Sequence, residues 1–482
     1  MSLHREAARG VRWTGLASLV NALVQVGQLV VLARLLTPID FGLVAMVTIA
    51  VGYAQAYSDL GVSGALIHRQ DADERALSSL YWLNVAVGLA IGAVFVLCAP
   101  LVARLFREPA IVGMLRLVAV IFVVLPFGKQ FEILLQRDLR FRALSVIEIA
   151  GALAGFGVAV AGALAGHRAW SLVYGTIAGT AVRSLALLAV GWRAHQPALR
   201  LRWAEVRDYL PFGGYQMGER SVNFLSERLD QLLIGALLGA QALGLYNFAF
   251  NLAIQPLTRI NPAVTRVAFP VLAKLQDDLP RLRRAYLRLL RLIVTVNAPL
   301  LLGLVAAAPV LVPAVFGPQW APAVPLLQVL CGVSLLRAAG NPIGSLQLAL
   351  GRADLGFAWN LFLLLVTIPA VAAGARLGGG LGVAVALLLL QAALQLVAYL
   401  RLVRPLVGRC GPEYAAAMLR PLGLALLMAV AVALVPQAAR GAAPTALLAL
   451  QVALGAGLYL ALLRLFEGAA LMDLRQSFAR NG

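Results

Sequence analysis

The sequence predicts an all-α membrane protein of about 14 transmembrane helices. Composition, block length and the sorting of basic residues carry that expectation. Of 482 residues, 61% are hydrophobic and 13% charged, against roughly 25% charged in a soluble domain. The apolar residues arrive in blocks of about 20 to 25, the length of one helical bilayer crossing. The longest polar connections, residues 193–208 and 274–284, are too short to fold as separate domains.

Fourteen spans are expected, centred near residues 24, 51, 90, 120, 154, 181, 228, 253, 302, 333, 364, 390, 426 and 454. With the N-terminus inside, most of the 40 basic residues fall at inner ends, among them Arg9, Arg137, Arg140, Arg283, Arg404 and Arg475. Few fall outside, such as Arg34, Arg107 and Arg440. Basic residues concentrate on the cytoplasmic side of membrane proteins, so a multi-pass membrane protein with both termini cytoplasmic is expected. The net charge of +19 therefore reads as an orientation signal, and no nucleic-acid partner is expected. Residues 1–12 run straight into an apolar span without a small-residue cleavage site, so no cleaved signal peptide is expected.

The chemistry of enzymes is not written here. Cys98, Cys331 and Cys410 lie far apart, and His4, His68, His167 and His195 show no ligand spacing. Gly128-Lys129-Gln130 lacks the other residues of a phosphate-binding loop. No catalytic residue, metal or cofactor is expected. The loop His68–Arg75 carries both signs of charge and reads as a solvated turn. Close glycine pairs (Gly88 and Gly92, Gly151 and Gly155, Gly175 and Gly179) read as helix packing.

An internal repeat is visible. Shifting by 202 residues lays Leu35-Leu36-Thr37-Pro38-Ile39-Asp40-Phe41-Gly42-Leu43 on Leu237-Leu238-Gly239-Ala240-Gln241-Ala242-Leu243-Gly244-Leu245. The same shift maps Thr14, Ser18, Asn21, Gln25 and Gln28 of span one onto Gln216, Arg220, Asn223, Glu227 and Asp230 of span seven. Steps of four and three place each set on one helix face. A second echo aligns Leu135–Phe141 with Leu350–Phe357 through one insertion. Six spans separate the copies, so both have one membrane orientation. The expected organisation is two pseudo-symmetric six-helix lobes, 1–200 and 201–408, with two added helices in 409–482. Parallel repeats of this kind build secondary transporters whose substrate path lies between the halves.

Charge inside apolar spans is expensive, roughly 2.5–3.5 kcal/mol per side chain at a helix centre. Span seven nonetheless carries Glu219, Arg220, Glu227, Arg228 and Asp230. Span eight adds Asn247, Asn251, Gln255 and Arg259, with Pro256 and Pro262 expected to kink it. Span ten adds Arg337 and Asn341. The first half contributes Asp59, Arg116, Lys129, Glu132, Glu148 and Arg183, of which Lys129 and Glu132 also read as span-end residues. The expected substrate-binding set is Asn21, Gln25, Gln28, Arg220, Asn223, Asn247, Asn251, Gln255, Arg259 and Arg337. Glu227 and Asp230, one turn apart, are the candidate site for a coupling H⁺ or Na⁺. The bland alternative is that these charges lock the lobes together.

The chain resembles the polysaccharide transporter branch, of colanic-acid-exporter type, of the multidrug/oligosaccharidyl-lipid/polysaccharide flippase superfamily. The resemblance rests on Leu32–Pro38 with Phe41-Gly42, on Leu135–Phe141, on Asp230 with Gly244-Leu245-Tyr246, and on Phe316–Trp320. It implies fourteen helices in two lobes around a cationic cavity, and alternating access. Its implied partner is a polyprenyl-diphosphate-linked oligosaccharide, moved across the inner membrane beside membrane lipids and glycan polymerase and chain-length machinery. Asp230 matches an acidic position of the family's seventh span. The neutral stripe of span one departs from that pattern, so headgroup charge is expected mainly from the second lobe. Two other functions fit a many-helix chain. A drug exporter calls for a cavity dominated by carboxylates, and a non-transporting scaffold of a glycan-synthesis complex makes the charged stripe purely structural.

Overall fold

The computed structural model describes residues 2–55, 57, 74–193, 196–202, 206, 210–439 and 441–466, and the side chains of these except 2–12, 74, 210–223, 263, 267, 353 and 357. Within them all regular structure is helical. The helices are α1 (Ser2–Leu35), α2 (Pro38–Gln55), α3 (Glu74–Phe106), α4 (Ile111–Val118), α5 (Val120–Arg137), α6 (Phe141–Leu164) and α7 (Ala169–Gly191). There follow α8 (Leu210–Ala273), α9 (Leu279–Leu311), α10 (Ala323–Ala349), α11 (Ala353–Ala398), α12 (Gly411–Ala438) and α13 (Pro444–Phe466).

Among the described residues, 12 helical stretches are long and apolar enough to cross a bilayer. Two of them, Phe224–Ala273 with 50 residues and Asp354–Val407 with 54, far exceed the roughly 20 that one crossing needs. Each is interrupted by glycine. Gly239 in α8 has φ 81° and ψ −175°, a region open essentially to glycine alone. In α11 the break is at Gly378 and Gly379 (φ 58°). These breaks fall where the sequence separates spans seven from eight and eleven from twelve. Pro256 and Pro262 lie inside the helix that follows Gly239, the one residue of α8 with non-helical φ/ψ.

The chain divides into two compact units, Met1–Gly244 and Leu245–Gly482. The division into compact units thus lies at Gly244, inside α8. Residues after 191 explain this, because they are tied to the first unit. Ala198 N–H donates to Ser78 Oγ (3.1 Å), Arg202 N–H to Ser79 Oγ (3.2 Å), and Trp82 Nε1–H to Ala198 O (2.9 Å). Val206 is buried with Leu77, Leu80 and Ile133.

In the first unit α6 and α7 meet backbone to backbone. A methyl on Gly155 would lie 2.9 Å from Gly175 O, and one on Gly179 would lie 2.9 Å from Gly151 O. The paired glycines of the sequence are therefore points of close helix approach. α2 approaches α8 closely at three points of the first unit, Phe224 against Gly52 before the Gly239 break, and Ala240 against Gly42 and Gly244 against Pro38 after it.

In the second unit α9 is central and packs on α10, α12 and α13. Tyr459 Oη–H of α13 donates to Thr295 O (2.8 Å), and Asn297 Nδ2–H to Asn261 Oδ1 (3.1 Å). The helices of 409–482 belong to this unit. Cys331 and Cys410 are buried and unpaired thiols, and burial pushes the Cys410 thiol up from its ordinary value.

Candidate functional site

The expected polar stripe of α1 lies within the described side chains. Thr14, Ser18 and Gln25 are exposed, and Ser18 Oγ–H donates to Thr14 O (2.8 Å). Asn21 and Gln28 are half-buried. Asn21 Oδ1 is enclosed without a hydrogen-bond partner among the described residues. Leaving such an acceptor unmet costs roughly 1–3 kcal/mol, so this point of α1 is suited to water or a polar ligand. Gln216, Arg220 and Asn223 lie outside the described side chains.

Further along α8, Glu227 is exposed and Asp230 is buried, 3% exposed. Gln231 N–H donates to Asp230 Oδ1 (2.8 Å), and Arg228 Nη1–H donates to Gln231 Oε1 (2.9 Å). Asp230 is thus a buried carboxylate inside an apolar stretch, bonded to the peptide group that follows it. After the Gly239 break, Asn251 Nδ2–H donates to Asn247 Oδ1 (3.2 Å), so those two share a face as expected. Gln255 and Arg259 are exposed and Arg337 is half-buried.

Within the first unit, charge is more organised than the sequence reading has it. Lys129, Glu132, Glu148 and Arg183, from α5, α6 and α7, form one connected ion cluster. Lys129 and Glu132 are three residues apart and visibly a pair. Their link to Arg183, 51 residues further on, needs the α5–α7 packing and has no local signal. Asp59 lies outside the described residues, and Arg116 is exposed on α4.

The family-like motifs turn out to be structural joints. Thr37 and Asp40 form a reciprocal cap at the start of α2, and Asp40 Oδ1 also accepts Ala169 N–H at the start of α7 (3.2 Å). Phe316 and Trp320 sandwich onto Phe248, with a stacked Trp320–Phe248 centroid distance of 4.2 Å. The turn after α5 closes through Arg140 N–H to Leu135 O (2.9 Å) around Leu139 (φ 55°). The turn after α10 closes the same way, Arg352 N–H to Gln347 O (2.8 Å) around Gly351 (φ 68°). The second echo is therefore real at the backbone but in another register. Leu139 corresponds to Gly351, whereas letter matching laid Leu135 on Leu350. Leucine-rich helix ends allow several alignments, and the left-handed residue selects one.

Residues 31–325 match the family model described as polysaccharide biosynthesis protein. The lipopolysaccharide biosynthesis protein WzxC of Escherichia coli K12 is 34% identical over 426 residues, 88% of this chain and 87% of that one. The teichuronic acid biosynthesis protein TuaB of Bacillus subtilis 168 is 34% identical over 383 residues, 80% of this chain and 79% of that one. Among solved structures, the lipid II flippase MurJ in an inward closed conformation superposes with a TM-score of 0.74 at 12% identity. That superposition covers 96% of this chain and all of that one, and it shows a shared fold.

Proposed function

Because the chain belongs to the polysaccharide biosynthesis protein family, we propose that it moves a lipid-linked oligosaccharide across a bacterial inner membrane. The substrate class is a polyprenyl-diphosphate-linked glycan repeat unit. The observation that carries this reading is polar and charged side chains set along α1 and α8 inside stretches otherwise apolar enough to span a bilayer. Turned to acyl chains they would cost roughly 2.5–3.5 kcal/mol each when charged, so they are best accounted for by a wet path through the protein. Arginine suits the cargo, since its planar fork gives phosphate two charge-assisted hydrogen bonds.

On this reading the halves of the broken stretches 224–273 and 354–407 cross the bilayer separately, making fourteen crossings, with both termini in the cytoplasm. The cycle alternates access to the two sides, and Arg220, Asn223, Arg259 and Arg337 are candidate contacts for the substrate. Asn21, Gln25, Gln28, Asn247, Asn251 and Gln255 face the glycan. Glu227 and Asp230 take up the coupling H⁺ or Na⁺, which biases the two states through its differential affinity. Glycan polymerase machinery receives the product.

The test is genetic and chemical. In a strain lacking the chromosomal copy, Arg220→Ala and Arg259→Ala are expected to lower surface polysaccharide at least tenfold while the variants remain in the membrane. Undiminished polysaccharide in both variants would exclude these arginines from the path.

A further inference from the structure

The ion cluster of the first unit stands apart from the set just described. Arg183 Nη2 lies 2.9 Å from Glu132 Oε1 and 3.8 Å from Glu148 Oε1, and Lys129 Nζ lies 3.4 Å from Glu132 Oε2. Measured along their helices, all four residues sit roughly 8–12 Å in from the ends at Arg137, Phe141 and Gly191. They therefore share one level inside the apolar stretches.

Close backbone packing fixes that level. A methyl on Gly151 would lie 3.1 Å from Arg183 Cβ, and one on Gly128 would lie 2.8 Å from Ser184 Cα. Ser184 Oγ–H also donates to Val124 O (2.8 Å). The base of Arg183 is therefore held between α5 and α6 while its head stays accessible.

The exposures are uneven. The Glu132 side chain is 12% exposed, Lys129 34%, and Arg183 and Glu148 43% each. A staple that merely ties helices together is best when its charges are closed off and fully paired. Here one carboxylate is enclosed between two cations, and the second stands beyond hydrogen-bond reach of Arg183. Arg183 Nε and Nη1 have no partner among the described residues, so much of the guanidinium fork is unused. Exposed charge at this depth is costly against hydrocarbon, so the open side of the cluster faces water or a polar ligand.

We propose that Arg183 and Lys129 form a binding site for a phosphate or diphosphate group. Glu132 already bridges the two cations as an anion and fixes their separation. The three together carry one net positive charge, and Glu148 is the loose counter-ion that an arriving phosphate displaces. This deepens the flippase reading and rests on it. It places a phosphate-reading arginine on α7, a charge that the neutral stripe of α1 does not supply.

The experiment titrates the full-length chain in detergent with farnesyl diphosphate, using farnesol as the uncharged control, and reads heat of binding. Arg183→Gln is expected to weaken farnesyl diphosphate binding at least tenfold. Glu148→Gln is expected to tighten it severalfold, because it removes the competing carboxylate. Farnesol binding should be the same in all three proteins. Weaker binding in Glu148→Gln, or binding within twofold of the parent in Arg183→Gln, overturns the site and leaves the flippase reading standing. Should Arg183→Gln fail to elute as a folded species, the opposite-signed Glu148→Gln result decides alone. A parent protein that prefers farnesyl diphosphate no more than farnesol overturns the substrate class itself, and this site with it.

Discussion

Gly42→Val is expected to destabilise the protein by about 3 kcal/mol or more, at the upper end of what overpacking costs. A Cβ at Gly42 would overlap the carbonyl of Ala240, and one at Gly244 would overlap the carbonyl of Pro38. These obstacles are backbone, which cannot rotate aside as a long side chain can. The two contacts are also reciprocal, since Pro38 and Ala240, and Gly42 and Gly244, are each separated by the repeat shift. Bulk at either glycine pushes α2 and α8 apart at a point both helices share. Thermal midpoints in detergent, with elution profiles, read the effect. The control is Gly157→Ala, where nothing lies within 4 Å of the added methyl. Helix propensity there favours alanine by about 1 kcal/mol. Equal midpoints for Gly42→Val and Gly157→Ala would show that the close approach is not a constraint.

Asp40→Ala is expected to cost about 2–4 kcal/mol, by removing caps worth roughly 0.5–2 kcal/mol each and orphaning buried donors. Asp40 is 6% exposed. Its Oδ2 accepts Thr37 N–H (2.9 Å) and Thr37 Oγ1–H (2.7 Å), and its Oδ1 accepts Ala169 N–H. One carboxylate therefore ends two helices that are 129 residues apart in sequence. Asp40→Asn keeps one acceptor oxygen and should recover about half of the loss in thermal midpoint. An alanine variant with an unchanged midpoint would mean that the caps are idle.

These joints show how far the sequence could be read. Helix class and most span positions were legible because hydropathy is summed over twenty residues and tolerates local noise. The 202-residue shift was legible too. It placed Thr37 opposite Gly239, where α2 starts in one copy and α8 resumes in the other. What letter matching missed is that the motif Thr37-Pro38-Ile39-Asp40 acts through a cap, and that the second echo is registered by a left-handed residue. The candidate site divides in the same way. The α1 and α8 stripes were drawn from helical spacing alone, and Gln216, Arg220 and Asn223 lie outside the described side chains. The Lys129–Glu132–Glu148–Arg183 cluster depends on glycine contacts among three helices, and no single helix carries its pattern. The contacts that tie Ala198, Arg202 and Val206 to α3 were hidden for a similar reason, since they join residues more than 100 positions apart.

The central claim, that this chain carries a lipid-linked glycan across a bilayer, is tested most directly in reconstituted vesicles. A polyprenyl-diphosphate-linked oligosaccharide is placed in both leaflets, and the outer pool is trimmed by an added glycosidase. With the protein present, the protected inner pool should become accessible and trimming should run to completion. Trimming that stops at the outer half, as in protein-free vesicles, would contradict the account.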